Sequence, residues 1–150
     1  MKKIISSIIS VCIILSLTVS SYAGTTDSII NEVRAIARNA PARFTPTAHW
    51  SADDIQFVKE TPLYNLYDEL CAYCIDLKNS STDEIAYLLI STDRTDFPII
   101  GYSPFSESPY YSVSEDKKAV FLSVNHYYIE DEEEYKRVAE AYDAMEESED

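Results

Sequence analysis

Two cysteines in the run Cys71-Ala-Tyr-Cys74, together with His49 and His126, are the residues of this chain whose types could support nucleophilic or metal chemistry. A Cys-x-x-Cys pair works as a redox centre at a helix N-terminus, where the dipole lowers the thiol pKa. Here the pair lies within Leu70 to Leu77, a run that reads as a strand. Residues three apart on a strand point to opposite faces, so a bridge would demand local distortion. Two buried free thiols are favoured over a local disulfide, and the same spacing argues against a zinc site built from two Cys and two His. His126 paired in space with either cysteine would sketch a thiol hydrolase. No acyl-transfer signature surrounds either cysteine, and a histidine beside Tyr127 and Tyr128 reads as a half-buried sheet residue.

Other chemistries find equally little. Gly24 and Gly101 are the two glycines, so a glycine-rich phosphate loop or a nucleophile elbow has no material. The acidic runs lack the Asp-x-Asp-x-Asp-Gly order of a calcium loop and read as solvated faces. Asn79-Ser80-Ser81 matches a glycosylation sequon, relevant in a eukaryotic secretory pathway. No catalytic residue, metal ligand or cofactor is assigned, and the chain is read as non-enzymatic.

The tyrosines carry more. Of twelve, Tyr102, Tyr110 and Tyr111 cluster with Phe105 around one Ser- and Pro-containing loop. Tyrosine joins apolar area to a hydroxyl and is enriched at protein interfaces. Tyr102, Phe105, Tyr110 and Tyr111 are therefore the candidate partner-binding surface, against the alternative that they fill a small core.

Which elements position these groups follows from patterning. Lys2 and Lys3, the apolar run Ile4 to Val19 and the small residues of Ser21-Tyr22-Ala23 form a cleavable secretory signal, 1–23. The apolar run is short for a membrane span, and the residues before Cys12 match a lipoprotein anchor poorly. Removing the signal takes two lysines and no acid, moving the net charge from −14 to −16. A chain so acidic repels nucleic acid and anionic lipid. No nucleic-acid partner and no membrane insertion after cleavage are expected, and the mature chain, 24–150, reads as a single monomeric domain with one modest core.

Thr25 to Asn39 has helical spacing at Ile29, Ile30, Val33, Ile36 and Ala37. Ala40 to Trp50, broken by Pro41 and Pro46, is expected to be an extended connection. Ser51 with Asp54 suggests a capped turn, stapled by Trp50. Val58 to Tyr64 is a weak strand that Pro62 demotes to an edge or a strand end. Leu70 to Leu77, Ala86 to Ser91 and Pro98 to Tyr102 follow as strands, separated by polar corners at Asn65 to Glu69, Asn79 to Asp83 and Thr92 to Asp96. Ala86 to Ser91, apolar on both faces, is expected at the sheet centre. Lys118 to Ile129 reads as one long strand. A closing helix begins near Asp131 and packs through Tyr135, Val138, Tyr142 and Met145, with a fraying acidic tail. The expected fold is α+β: an antiparallel four- to five-stranded meander flanked by an N-terminal and a C-terminal helix.

The run Ala86-Tyr87-Leu88-Leu89-Ile90-Ser91, a polar turn, then Pro98-Ile99-Ile100-Gly101-Tyr102-Ser103 resembles the propeptides of streptopain-like secreted cysteine peptidases and the free-standing inhibitors similar to them. Thr61-Pro62-Leu63-Tyr64 and Ala72 to Leu77 resemble the preceding hairpin of that domain. Ser108-Pro109-Tyr110 and Lys118 to Tyr128 resemble propeptide-like domains of Gram-positive exported proteins. The resemblance covers roughly 61–129. It implies an α+β domain that covers a peptidase cleft as chaperone, inhibitor or both, outside the cell or on the envelope of a Gram-positive bacterium. No catalytic domain follows in this sequence, and Ile85 or Ala86 stands where those strands open with glycine, so no inhibitory residue is transferred. The expectation is a stand-alone, non-catalytic binder of a secreted cysteine peptidase. The alternative is an envelope-associated or host-facing binding module of the same fold.

Overall fold

A computed structural model describes residues 27–93, 98–124, 126–129 and 133–146, without the side chains of residues 126, 127 and 146. The expected signal, 1–23, and the helix start near Asp131 lie outside these. The described chain opens in a helix, α1 (27–39), whose last residues, from Ile36 onward, belong to a compact unit extending to the C-terminus. Within this unit lie β1 (Ile55–Tyr64), β2 (Leu70–Asn79), β3 (Ile85–Ser91), β4 (Ile99–Pro104), β5 (Ala119–Ser123), β6 (His126–Ile129) and the closing helix α2 (Glu133–Glu146). Among the described residues, no helix is long and apolar enough to cross a membrane.

The fold is α+β, but the sheet is mixed and has six strands in the order β4-β3-β2-β1-β5-β6. The first four form the expected antiparallel meander. β5 then crosses to the free side of β1 and pairs with it in parallel, at Leu63↔Ala119 and Tyr64↔Val120. What read as one long strand is two antiparallel strands, β5 and β6, with Ser123 opposite His126. Apolar alternation continues across the boundary, so a period-two pattern does not reveal it.

Pro62 does not end β1. The strand runs ten residues and pairs with β2 along its whole length. Its pairing with β5 begins at Leu63, just past the proline, so the missing N–H is kept out of the parallel ladder. The most enclosed strand is β2, buried on both faces from Ala72 to Leu77, while β3 lies one place from the edge.

The two sheet faces are covered differently. Tyr73, Ile75, Leu77, Ala86, Leu88 and Ile90 form the helix face, where Ala37, Ala40, Pro41, Thr47 and Trp50 are also buried. The expected extended connection is instead two 3-10 turns, Pro41–Arg43 and Thr45–Thr47. Proline at the start of a turn supplies a helical φ and loses only an N–H without an intrahelical partner. Arg38 lies over the Phe57 ring at 5.2 Å, and Phe44 stacks on Tyr102 at 4.0 Å. Glu84 fixes the segment, its Oε2 accepting from Trp50 Nε1 (2.9 Å), His49 Nε2 (2.7 Å) and Thr82 Oγ1 (2.8 Å). These donors hold the Glu84 carboxyl below its ordinary value.

The opposite face carries Leu63, Ala72, Cys74 and Leu89, with Ala119 of β5 and with Tyr110 and Val113 of the β4–β5 connection packed on them. That connection is called the strap here, and the surface it covers the strap face.

The turns follow side-chain chemistry. Asn65 Oδ1 accepts from the Tyr67 and Glu69 amides, and Asn79 Oδ1 from those of Ser81 and Thr82. Asp68 (φ 66°) and Asp83 (φ 60°) take the left-handed positions. Asn79 is buried and its oxygen engaged, so the sequon is closed in the folded protein. In α2, Tyr135 and Val138 are half-buried, but Tyr142 and Met145 are exposed, and Ala139 and Tyr142 line a shallow crevice with Leu66 and Tyr67. Only the first half of the expected stripe packs.

Candidate binding surface

The strap begins where β4 ends. Phe105 takes a left-handed backbone (φ 59°), and its amide donates to Ile85 O at 2.7 Å. A non-glycine residue there is uncommon and persists when its surroundings hold it. Two charged side chains on neighbouring strands supply that hold. Asp76 of β2 accepts from the Ser108 amide at 2.8 Å and from Ser108 Oγ at 2.7 Å. Lys59 of β1, directly across from Asp76, donates from Nζ to the carbonyls of Tyr110 (2.9 Å), Tyr111 (2.8 Å) and Val113. An ammonium has three donors, and each meets a strap carbonyl. A hydrogen bond between Ser103 Oγ and Ser106 Oγ, 2.8 Å, ties the first turn.

The electrostatics fit these roles. Asp76 is buried, and desolvation raises its carboxyl above the ordinary value, opposed by the two Ser108 hydrogen bonds and the Lys59 charge. A desolvated carboxylate tolerates burial when its oxygens are hydrogen-bonded and a cation lies near.

The four aromatic residues singled out from sequence separate in space. Tyr110 is 1% exposed and belongs to the strap-face core. Tyr102 packs on the helix face, stacked on Phe44, with its hydroxyl hydrogen-bonded to Thr47 Oγ1. Burial raises the Tyr102 hydroxyl pKa, partly offset by Thr47. Phe105, 55% exposed, and Tyr111, 39% exposed, remain at the surface. Val58 of β1, at 45% exposure, joins them: with Tyr111, Ser106 and Glu107 it lines a hollow of about 200 Å³. Sequence alternation held the clue to Val58. It lies between Phe57 and Lys59, where β1 and β2 slip register by a bulge, and a bulge re-aims the side chains around it.

The thiols are not poised for chemistry. Cys74 is fully buried, and desolvation pushes its pKa up to about 12. Cys71, beside the register shift at Leu63/Tyr64, is half-buried, donates from Sγ to Leu63 O at 3.4 Å, and also has a raised pKa from burial. Both are free. His49 is engaged with Glu84, while the side chain of His126 lies outside the described residues. Among the described residues no group of three His, Cys, Asp or Glu could hold a metal ion.

Compared with family models, curated proteins and solved structures, the chain matches none of them.

Proposed function

We propose that this is an exported, non-catalytic binding protein that engages a secreted cysteine peptidase as a stand-alone propeptide-like inhibitor or chaperone. One observation carries the binding reading: the strap that follows the propeptide-like stretch Ile85 to Ser103 is held by Lys59 and Asp76, with Phe105 and Tyr111 facing solvent. A loop fixed before it meets its partner loses little conformational freedom on binding, which is how rigid paratopes and inhibitor loops gain affinity. The choice of a peptidase rests on the sequence resemblance.

The test is titration against papain-like and streptopain-like peptidases from the same secretome. Stoichiometric loss of activity and co-elution on gel filtration are expected. Phe105→Ala should weaken the complex by on the order of 2 kcal/mol if Phe105 is an anchor. Undiminished peptidase activity at micromolar protein, with no complex, would sink the proposal. The exposed group Tyr67, Tyr142 and Met145 favours a second reading, an envelope-associated or host-facing module that binds through α2. In that case Phe105→Ala is silent and Tyr142→Ala is not.

A further inference from the structure

Three features compete for attention: the exposed half of α2, a polar cleft of about 490 Å³ between Tyr87 and Phe121, and the small hollow beside the strap. The last has both an apolar surface and a charge pattern that specifies what would cover it. Val58 and Tyr111 are exposed large apolar side chains on its wall, Ile85 is half-buried there, and Phe105 precedes the wall residue Ser106. Apolar side chains gathered at one spot on a strongly acidic protein mark an interaction site more than scattered ones do.

The surrounding charge is acidic on balance. Asp76, Asp83 and Glu107 line the hollow together with Lys78, whose Nζ lies 2.7 Å from Asp83 Oδ1, and the Lys59 ammonium reaches the carbonyl of the wall residue Tyr111, which leaves Glu107, among the described residues, as the carboxylate with no lysine beside it in the wall. Farther along the strap, Glu115 and Asp116 are balanced by Lys117 and Lys118, so the acidic character is local to the hollow. An anionic partner surface would meet like charge here, and a purely apolar one would strip water from Glu107 and Asp83 without replacing it.

We propose that this hollow is a docking surface for a cationic, apolar protein segment. The partner's apolar side chains lie against Val58, Tyr111 and Phe105, and its lysine or arginine heads reach Glu107 and Asp83. Long basic side chains suit such a place, since their methylene stems cover apolar wall while the charged head stays at the rim. The inference rests on the reading of this chain as a binding protein and adds the chemistry of the partner surface: on a peptidase, a basic rim around an apolar depression.

The experiment is an NMR titration of the whole secreted protein with two synthetic peptides, one alternating leucine and arginine, the other leucine and glutamate. Expected are saturable shifts of the Val58, Ser106, Glu107 and Tyr111 amides with the arginine peptide alone. Affinity should fall severalfold between 50 and 300 mM salt, as contacts to exposed charges do. The double variant Val58→Ser/Tyr111→Ser, changed only at exposed positions, should weaken binding at least tenfold while keeping the spectrum of the folded protein. Equal response to both peptides, saturation elsewhere, or no saturable shift at millimolar peptide would overturn the proposal. No peptidase is present, so a positive titration beside a failed peptidase assay rejects the peptidase and keeps the surface. The reverse pair of results rejects this surface alone.

Discussion

Lys59 and Asp76, like Glu84, show how charged side chains can do structural work in this acidic molecule. Asp76→Ala leaves the Ser108 N–H and hydroxyl without acceptors and should cost about 3 kcal/mol by urea unfolding, whereas Asp76→Asn, which keeps a carbonyl oxygen, should cost less. Lys59→Met frees three carbonyls at the strap's edge, with an expected loss of about 2–3 kcal/mol and faster amide exchange over 108–113. At this scale the sequence was only partly legible. Asn65 and Asn79 announce their turns because the bonds they make are two to four residues away. Lys59 lies some fifty residues from the carbonyls it holds, and no local pattern reveals that. Tyr110 and Tyr111 are neighbours of the same type with opposite fates, separated by which side of the strap faces Cys74 and Leu89.

Elements tell a similar story. The meander could be read because each of its strands pairs with the next in sequence. The parallel pairing of β5 with β1 could not, since nothing in either strand names a partner more than fifty residues away. The Pro41 and Pro46 segment was recognisable as a break, but its 3-10 turns depend on the sheet beneath them. Gly101 is an element-scale constraint. A Cβ there would come within 2.9 Å of Leu89 Cδ1 and 3.3 Å of its Cβ and Cγ, in a buried contact between β3 and β4. Gly101→Ala should cost roughly 1–3 kcal/mol, read as a lowered Tm, and Gly101→Ala/Leu89→Ala should recover part of the clash term at the expense of a cavity.

Across the whole molecule, carboxylates of opposite tendency set the response to pH. Glu84, Asp83 and Asp116 are held below their ordinary values by hydrogen bonds and basic neighbours, so their contribution is present at neutral pH and is lost as pH falls through their folded values. Asp76 is raised, so it works the other way: stability declines as pH rises from the ordinary carboxyl range through its folded value. Urea midpoints from pH 3 to 7 should therefore rise less steeply than Glu84 and its kind alone would give. Asp76→Asn should steepen the rise, and Glu84→Gln should flatten its acid side. The net charge of −14 adds a general self-repulsion, and raising salt from 20 to 200 mM should lift the midpoint at pH 7.

The seam between β1 and β5 is two residue pairs long, against nine between β1 and β2. Beyond that seam, the β5–β6 hairpin meets the meander through the packing of Ala119, Val120, Phe121 and Ile129 and through Lys118, which pairs with Asp68 and lies over the Tyr64 ring. In the language of cooperative units, the chain has a strong half and a weakly latched half, and local opening should follow that division. Native-state hydrogen exchange is expected to release residues 119–129 and 133–146 together, at a lower free energy than 70–79. The opened molecule would offer a bare β1 edge at Leu63 and Tyr64, where the β5–β6 hairpin of another copy could pair as readily as its own. Exchange of that hairpin between molecules is therefore the misassembly this topology invites at high concentration.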